Sequence, residues 1–144
     1  MGDVSIRHIQ FEWMVKPPET IKVNHTLTIV GRVPALVDIQ VIEAILLGDS
    51  GEHGERFEGQ AAWTSPGFND DGMQCTYVWF FIRLVKRGRN KIKFRISWKK
   101  SRELFGTVET FEVRVGDSYD SPFYTLAEQD LLEVLFNGEL DFQS

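Results

Sequence analysis

The chain predicts an all-β fold, an antiparallel β-sandwich of about seven strands carrying one short helix at its C-terminal end. Three observations carry this expectation. Apolar residues between positions 4 and 115 recur with period two, in short runs separated by Gly, Pro, Asn and Asp. The cleanest run, Lys91 to Lys99, sends Ile92, Phe94, Ile96 and Trp98 to one side and Lys91, Lys93, Arg95, Ser97 and Lys99 to the other. After Thr125 the period changes to that of a helix. With 144 residues, 42% of them hydrophobic, the chain is large enough to bury one real core.

The first strand is expected over 4–13. Ile9, Phe11 and Trp13 share one phase and Val4 and Ile6 the other, which implies a bulge near Arg7 or His8. Pro17-Pro18 breaks it. A second strand is expected over 21–33, where Ile21, Val23, Leu27, Ile29, Gly31 and Val33 fall in one phase and Pro34 ends the run. A third, over 37–47, is apolar in both phases and so reads as a central strand or as one covered on both sides. The Gly- and charge-rich stretch 48–55 predicts a loop, followed by a short strand over 57–63 and a second loop over 65–72. Residues 74–86 form a long strand with Val78, Phe80, Ile82 and Leu84 on one face and Tyr77, Trp79 and Phe81 on the other. Arg87-Gly88-Arg89-Asn90 reads as a turn, the alternating strand follows, and a last strand spans 108–115.

In the tail, Thr125-Leu126-Ala127-Glu128 matches a capping box. Ala127, Leu131, Val134 and Leu135 then follow helical spacing, and Asn137-Gly138 suggests a stop, so a helix is predicted over about 125–136. The chain divides into a sandwich, 1–116, and a C-terminal extension, 117–144, with no internal repeat and no low-complexity linker.

The stretch from Leu84 through Lys86-Arg87-Gly88-Arg89-Asn90-Lys91 to Phe94 resembles the late part of immunoglobulin-like modules, where an apolar strand leads through a Gly-x-Asn turn into an alternating strand. The closing Val108–Val115 strand and the early Thr26-Leu27-Thr28-Ile29-Val30-Gly31-Arg32-Val33 fit the same pattern. The resemblance covers about residues 20–116 and implies an immunoglobulin-like β-sandwich. The Cys…Trp…Cys hallmark of antibody domains is absent, and such modules serve many roles, so function has to come from particular residues.

Charge supplies the main candidates. Ten of the sixteen Lys and Arg residues lie between Arg83 and Arg102 with no acidic residue among them, although the whole chain carries a net charge of -5. Alternation places Lys91, Lys93, Arg95 and Lys99 on one outer face, suited to an acidic partner, a phosphate or a sulfated sugar. The competing reading, which the sequence favours, leaves this face solvated or pairs it with Glu112 and the helix residues Glu128, Asp130 and Glu133. Nucleic-acid binding is not expected. The chain as a whole is acidic, and alternation sends Phe94 and Trp98 away from the basic face. Tyr77, Trp79 and Phe81 are the second candidate, because the opposite face of their strand already supplies a core. Cover by the helix or a loop is preferred over cover by a partner.

Other chemistry finds little support. Asp49, Glu52, Glu55, Asp70 and Asp71 follow no calcium-loop spacing, and His8, His25 and His53 lie in separate segments, so neither a metal nor another cofactor is expected. There is no nucleophile elbow and no Gly-rich phosphate loop. Cys75, the single cysteine, reads as a small buried hydrophobe and points to a reducing, cytoplasmic setting. No apolar run approaches the roughly 20 residues that span a bilayer, so membrane insertion is not expected. The resulting expectation is a non-catalytic protein-interaction module. A carbohydrate-binding module and an accessory domain of a larger enzyme are the alternatives.

Overall fold

The computed structural model describes residues 11–47 and 58–143, with backbone alone at 58–61 and 136–143. The strand expected over 4–10 with its bulge, the loop at 48–55 with Asp49, Glu52 and Glu55, and His8 and His53 lie outside these residues. The described residues form eight strands and one helix: β1 (Glu12–Val15), β2 (Thr20–Lys22), β3 (Thr26–Val33), β4 (Asp38–Leu47), β5 (Glu58–Phe68), β6 (Gln74–Arg83), β7 (Gly88–Lys100), β8 (Glu103–Gly116) and α1 (Leu126–Gln143). They make two four-stranded sheets, ordered β1-β3-β6-β5 and β2-β8-β7-β4.

The chain enters one sheet and then crosses to the other. β1 pairs antiparallel with β3, with a bulge between Trp13 and Val15. Pro17 and Pro18 then interrupt the backbone donors, so pairing with β3 stops and the chain is released. It resumes as β2, which runs parallel to β8 and pairs Thr20 with Arg114 and Lys22 with Gly116. The single strand expected over 21–33 is therefore two strands in different sheets. The break falls at Asn24, which takes a left-handed backbone (φ 69°), a conformation Asn tolerates better than most residues. The link from β3 to β4 is held by buried Thr76, whose hydroxyl donates to the Ala35 carbonyl (2.9 Å) and accepts from the Val37 N–H (3.1 Å).

Two segments outside the expected strands are strand. β5 continues through Ser65, Pro66 and Gly67 to Phe68, paired with Gln74–Tyr77, because Pro66 lies on an edge strand where its missing N–H costs no ladder bond. β8 starts at Glu103 rather than at 108, so β7 and β8 form one long hairpin closed by the two residues Ser101 and Arg102. At its other end the expected turn belongs largely to β7. Gly88 opens the strand at φ 103°, and buried Asn90 donates its side-chain amide to the carbonyls of Lys86 and Gly88.

The core between the sheets follows the period-two reading. Leu27, Ile29, Val33, Val78, Phe80 and Ile82 from one sheet meet Ile92, Phe94, Ile96, Trp98, Val113 and Val115 from the other. Phe11 fills the place a side chain at Gly31 would need: a Cβ there would run into the Phe11 ring at Cζ. Phe11 and Trp13 extend an edge-to-face aromatic group to Phe94 and Phe111. The Trp13 indole N–H donates to Glu109 on β8 and ties β1 to the opposite sheet.

A second core lies on the outer face of the β1-β3-β6-β5 sheet. Here Val15, Val30, Cys75, Tyr77 and Trp79 pack against Leu132 and Leu135 of α1, with Leu131, Tyr124 and Phe81 at the margin. The capping box forms as expected. The Thr125 hydroxyl accepts from the Glu128 N–H (3.2 Å), and the Glu128 carboxylate accepts from the Thr125 N–H (2.8 Å). The docked stripe keeps Leu131 and Leu135 of the expected one but is rotated, so that Leu132 is buried while Ala127 and Val134 are exposed. Asn137-Gly138 does not end α1, which runs on to Gln143. Both residues disfavour a helix by only about 1 kcal/mol or less each, and no proline stops the chain there.

Candidate interaction surface

β7 is an inner strand, flanked by β4 and β8, and its alternation holds along its length. Ile92, Phe94, Ile96 and Trp98 are fully buried, while Lys91, Arg95 and Lys99 are exposed and Lys93 is half-buried. The outer face of the β2-β8-β7-β4 sheet therefore carries the predicted row. Its register neighbours are mixed. Glu112 and Leu47 flank Lys91, Thr110 and Ile45 flank Lys93, Val108 and Glu43 flank Arg95, and Leu104 and Asp38 flank Lys99.

Internal neutralisation takes the arginines and leaves the lysines. Arg95 lies 3.6 Å from Glu43, and Arg89 lies 3.8 Å from Glu112. Arg87 grips Asp117 through two hydrogen bonds of 3.0 and 2.9 Å, which hold the Asp117 carboxyl below its ordinary range. All three pairs are solvent-facing and so contribute little to stability. Among the described residues Lys91, Lys93 and Lys99 have no ion-pair partner. The expected pairing with Glu128, Asp130 and Glu133 is excluded by topology, because α1 packs on the other sheet, across the full thickness of the sandwich.

The same packing decides the aromatic candidates. Tyr77 and Trp79 are buried beneath Leu132 and Leu135, and Phe81 is half-buried at the edge of that contact, edge-on to Trp63 at 5.4 Å. They make no exposed apolar patch. The preferred expectation, cover by the helix, is what the fold contains. The Tyr77 hydroxyl donates to the Phe68 carbonyl (3.0 Å) and accepts from Arg32 (3.5 Å), while Arg32 also donates to Glu12 (3.1 Å). Burial pushes the Tyr77 phenol up, against the opposing pull of the Arg32 guanidinium. Tyr124 is tied in as well, its hydroxyl accepting from the Thr28 N–H (3.1 Å).

What the sequence reading missed lies beside the basic row. Leu104 and Val108, on the outer face of β8, are 64% and 58% exposed. With Arg95, Ser97, Phe105 and Gly106 they line a shallow groove of about 320 Å³. The signal was present in the alternation of Leu104, Gly106 and Val108 against Phe105 and Thr107, and Gly106 obscured it. Among the described residues no group of three or more His, Cys, Asp or Glu side chains is placed to hold a metal ion. No described helix is long and apolar enough to cross a membrane.

No family model matches the chain, and no curated protein matches it. Among solved structures, the solution structure of amebosin aligns over 67% of this chain and 84% of its own, at 14% identity and a TM-score of 0.33. That likeness is too weak to carry over either fold or function.

Proposed function

We propose that the chain is a non-catalytic protein-interaction module of the immunoglobulin-like class, and that its working surface is the outer face of the β2-β8-β7-β4 sheet, taking an acidic protein segment. The observation that carries this reading is the pairing pattern on that face. Lys91, Lys93 and Lys99 have no carboxylate partner among the described residues, and exposed Leu104 and Val108 lie beside them. The other outer sheet face is already covered by α1. Unpaired cations next to apolar side chains suit a ligand that alternates acidic and apolar residues.

Strand order supports the class. An immunoglobulin sandwich places its first, second, fifth and fourth strands in one sheet and its third, sixth and seventh in the other. If β1 and β2 are two halves of one first strand, the orders β1-β3-β6-β5 and β2-β8-β7-β4 follow that scheme. The carbohydrate reading has less support, since it needs a platform of exposed aromatics. Tyr77 and Trp79 are buried, and exposed Trp63 and Phe68 stand in opposite phases of β5.

Titration with a short poly-glutamate peptide, followed by heat or fluorescence, tests the surface. The expected result is binding that weakens steeply as salt rises past a Debye length of about 8 Å and is abolished by Lys91→Glu with Lys93→Glu. Unchanged binding by that double variant, or affinity indifferent to salt, discards the reading. A preference for heparin over the peptide favours the sulfated-sugar alternative.

A further inference from the structure

A β-sheet edge offers unpaired N–H and C=O groups, and proteins that stay monomeric blunt such edges with short strands, bulges, proline or charge. Among the described residues, three of the four edge strands carry such devices. β1 is four residues long and bulged, β5 contains Pro66 and a bulge between Glu58 and Ala61, and β4 is bulged between Ile39 and Val41. The fourth, β2, is three residues long and covers only Arg114 to Gly116 of β8. From Glu103 to Val113 the far side of β8 therefore has no strand partner among the described residues. This edge has neither bulge nor proline, and its register with β7 is unbroken.

The free groups can be identified. The Arg114 N–H points away from β7, since it donates to the Glu19 carbonyl (2.8 Å). Backbone direction alternates along a strand, so Leu104, Gly106, Val108, Thr110 and Glu112 present their N–H and C=O to the open side. Leu104 and Val108 also carry two of the most exposed aliphatic side chains in the described chain.

We infer that this edge is the seam of a symmetric dimer, in which β8 of one copy pairs antiparallel with β8 of a second copy about a two-fold axis at Thr107. In that register Gly106 faces Val108 of the second copy, Leu104 faces its Thr110, and Arg102 faces its Glu112, with each contact made twice. Arg102, at the hairpin turn, has no ion-pair partner among the described residues, so the register supplies one. Glycine inside a regular strand often marks a close backbone approach. A Cβ at Gly106 would already lie 3.3 Å from the Ile96 carbonyl oxygen, and its absence leaves room for Val108 across the seam. Shifting the axis by one residue toward Gly106 faces Glu103 with Glu109, and shifting it toward Val108 faces Arg102 with Arg114. Both alternatives oppose like charges, which is unfavourable across a strand pair. The backbone ladder would run from Glu103 to residue 111, with Arg102 and Glu112 meeting just beyond each end of it and still short of Arg114, where pairing with β2 begins.

The interaction is independent of the acidic-ligand reading and is tested without any ligand. One strand pair is a small interface, in the weak class below about 1,200 Å², so the measurement is sedimentation from micromolar to millimolar protein. The expected result is a mean mass that rises from 16.6 kDa toward twice that value. Arg102→Glu alone and Glu112→Arg alone should each remain monomeric, because each homodimer then opposes like charges twice. An equimolar mixture of the two variants should dimerise again, since every contact becomes complementary. Both substitutions are on exposed side chains, and circular dichroism checks that each variant is folded. A wild-type mass that stays at one chain across the range overturns the inference, and so does a dimer indifferent to either charge reversal or a mixture that stays monomeric.

Discussion

At Gly31 the smallest side chain is required by one of the larger ones. Its missing Cβ is the space into which the Phe11 ring packs, and that ring joins β1 to the inter-sheet core beside Trp98. Gly31→Ala is expected to cost about 1–3 kcal/mol by overpacking, read as a lower midpoint in urea. Phe11→Leu in the same chain should recover part of the loss. Tyr77 makes a second case, with a pH signature. Its phenol is raised in the folded protein by burial, so the unfolded chain ionises first, near the ordinary value of about 10. The stabilising contribution is full below that pH and is lost as pH rises through the folded value. Stability of the wild type should therefore fall more steeply than that of Tyr77→Phe as pH rises above about 10, and parallel declines would reject the assignment.

At the level of elements, α1 shows how a correct helix can be given a face rotated from the one that docks. Thr125 and Glu128 fix its start through local hydrogen bonds, and that start is legible in four residues. Its docking face is legible only in part, because Leu131 and Leu135 have apolar neighbours on both sides, Ala127 and Val134 on one and Leu132 on the other. The choice falls to the sheet, whose outer face at Val30, Tyr77 and Trp79 takes Leu132 and leaves Ala127 and Val134 exposed. Burial of each leucine contributes about 1.5–3 kcal/mol. Leu132→Asp should therefore release the helix, shift Trp79 emission to the red and open it to acrylamide quenching. The strand signal in circular dichroism should persist. Loss of the strand signal together with the helix would show that α1 is needed for the sandwich itself. The β7–β8 hairpin teaches a related lesson. Its length was hidden because Gly106 lowers strand propensity at the point where the alternation of Leu104 and Val108 would have revealed it.

For the whole molecule, the two outer faces differ in cover. One is closed by α1, and the other carries lysines that no described carboxylate neutralises. Pairing of two β8 strands would make the second face continuous across both copies. It would set the two β7 lysine rows three strand spacings apart, about 14 Å, and so present a long acidic segment with two basic strips. The charge asymmetry visible between Arg83 and Arg102 would then acquire a geometry that no single copy has.

The β architecture, the inward phase of β3, β6, β7 and β8, the cap of α1, and the exposure of Lys91, Arg95 and Lys99 are all legible in the linear chain. These depend on periodicity and on contacts a few residues apart, which a linear pattern records. Long-range packing was needed to show that Thr20–Lys22 joins the opposite sheet, that Tyr77 and Trp79 lie under the helix, that the helix carboxylates are on the far side from the basic row, and that β8 has no strand partner on its far side from Glu103 to Val113 among the described residues. Each of these is a choice between faces or partners that look alike in sequence. It is settled by long-range pairing and by which apolar surface is left for the last element to cover.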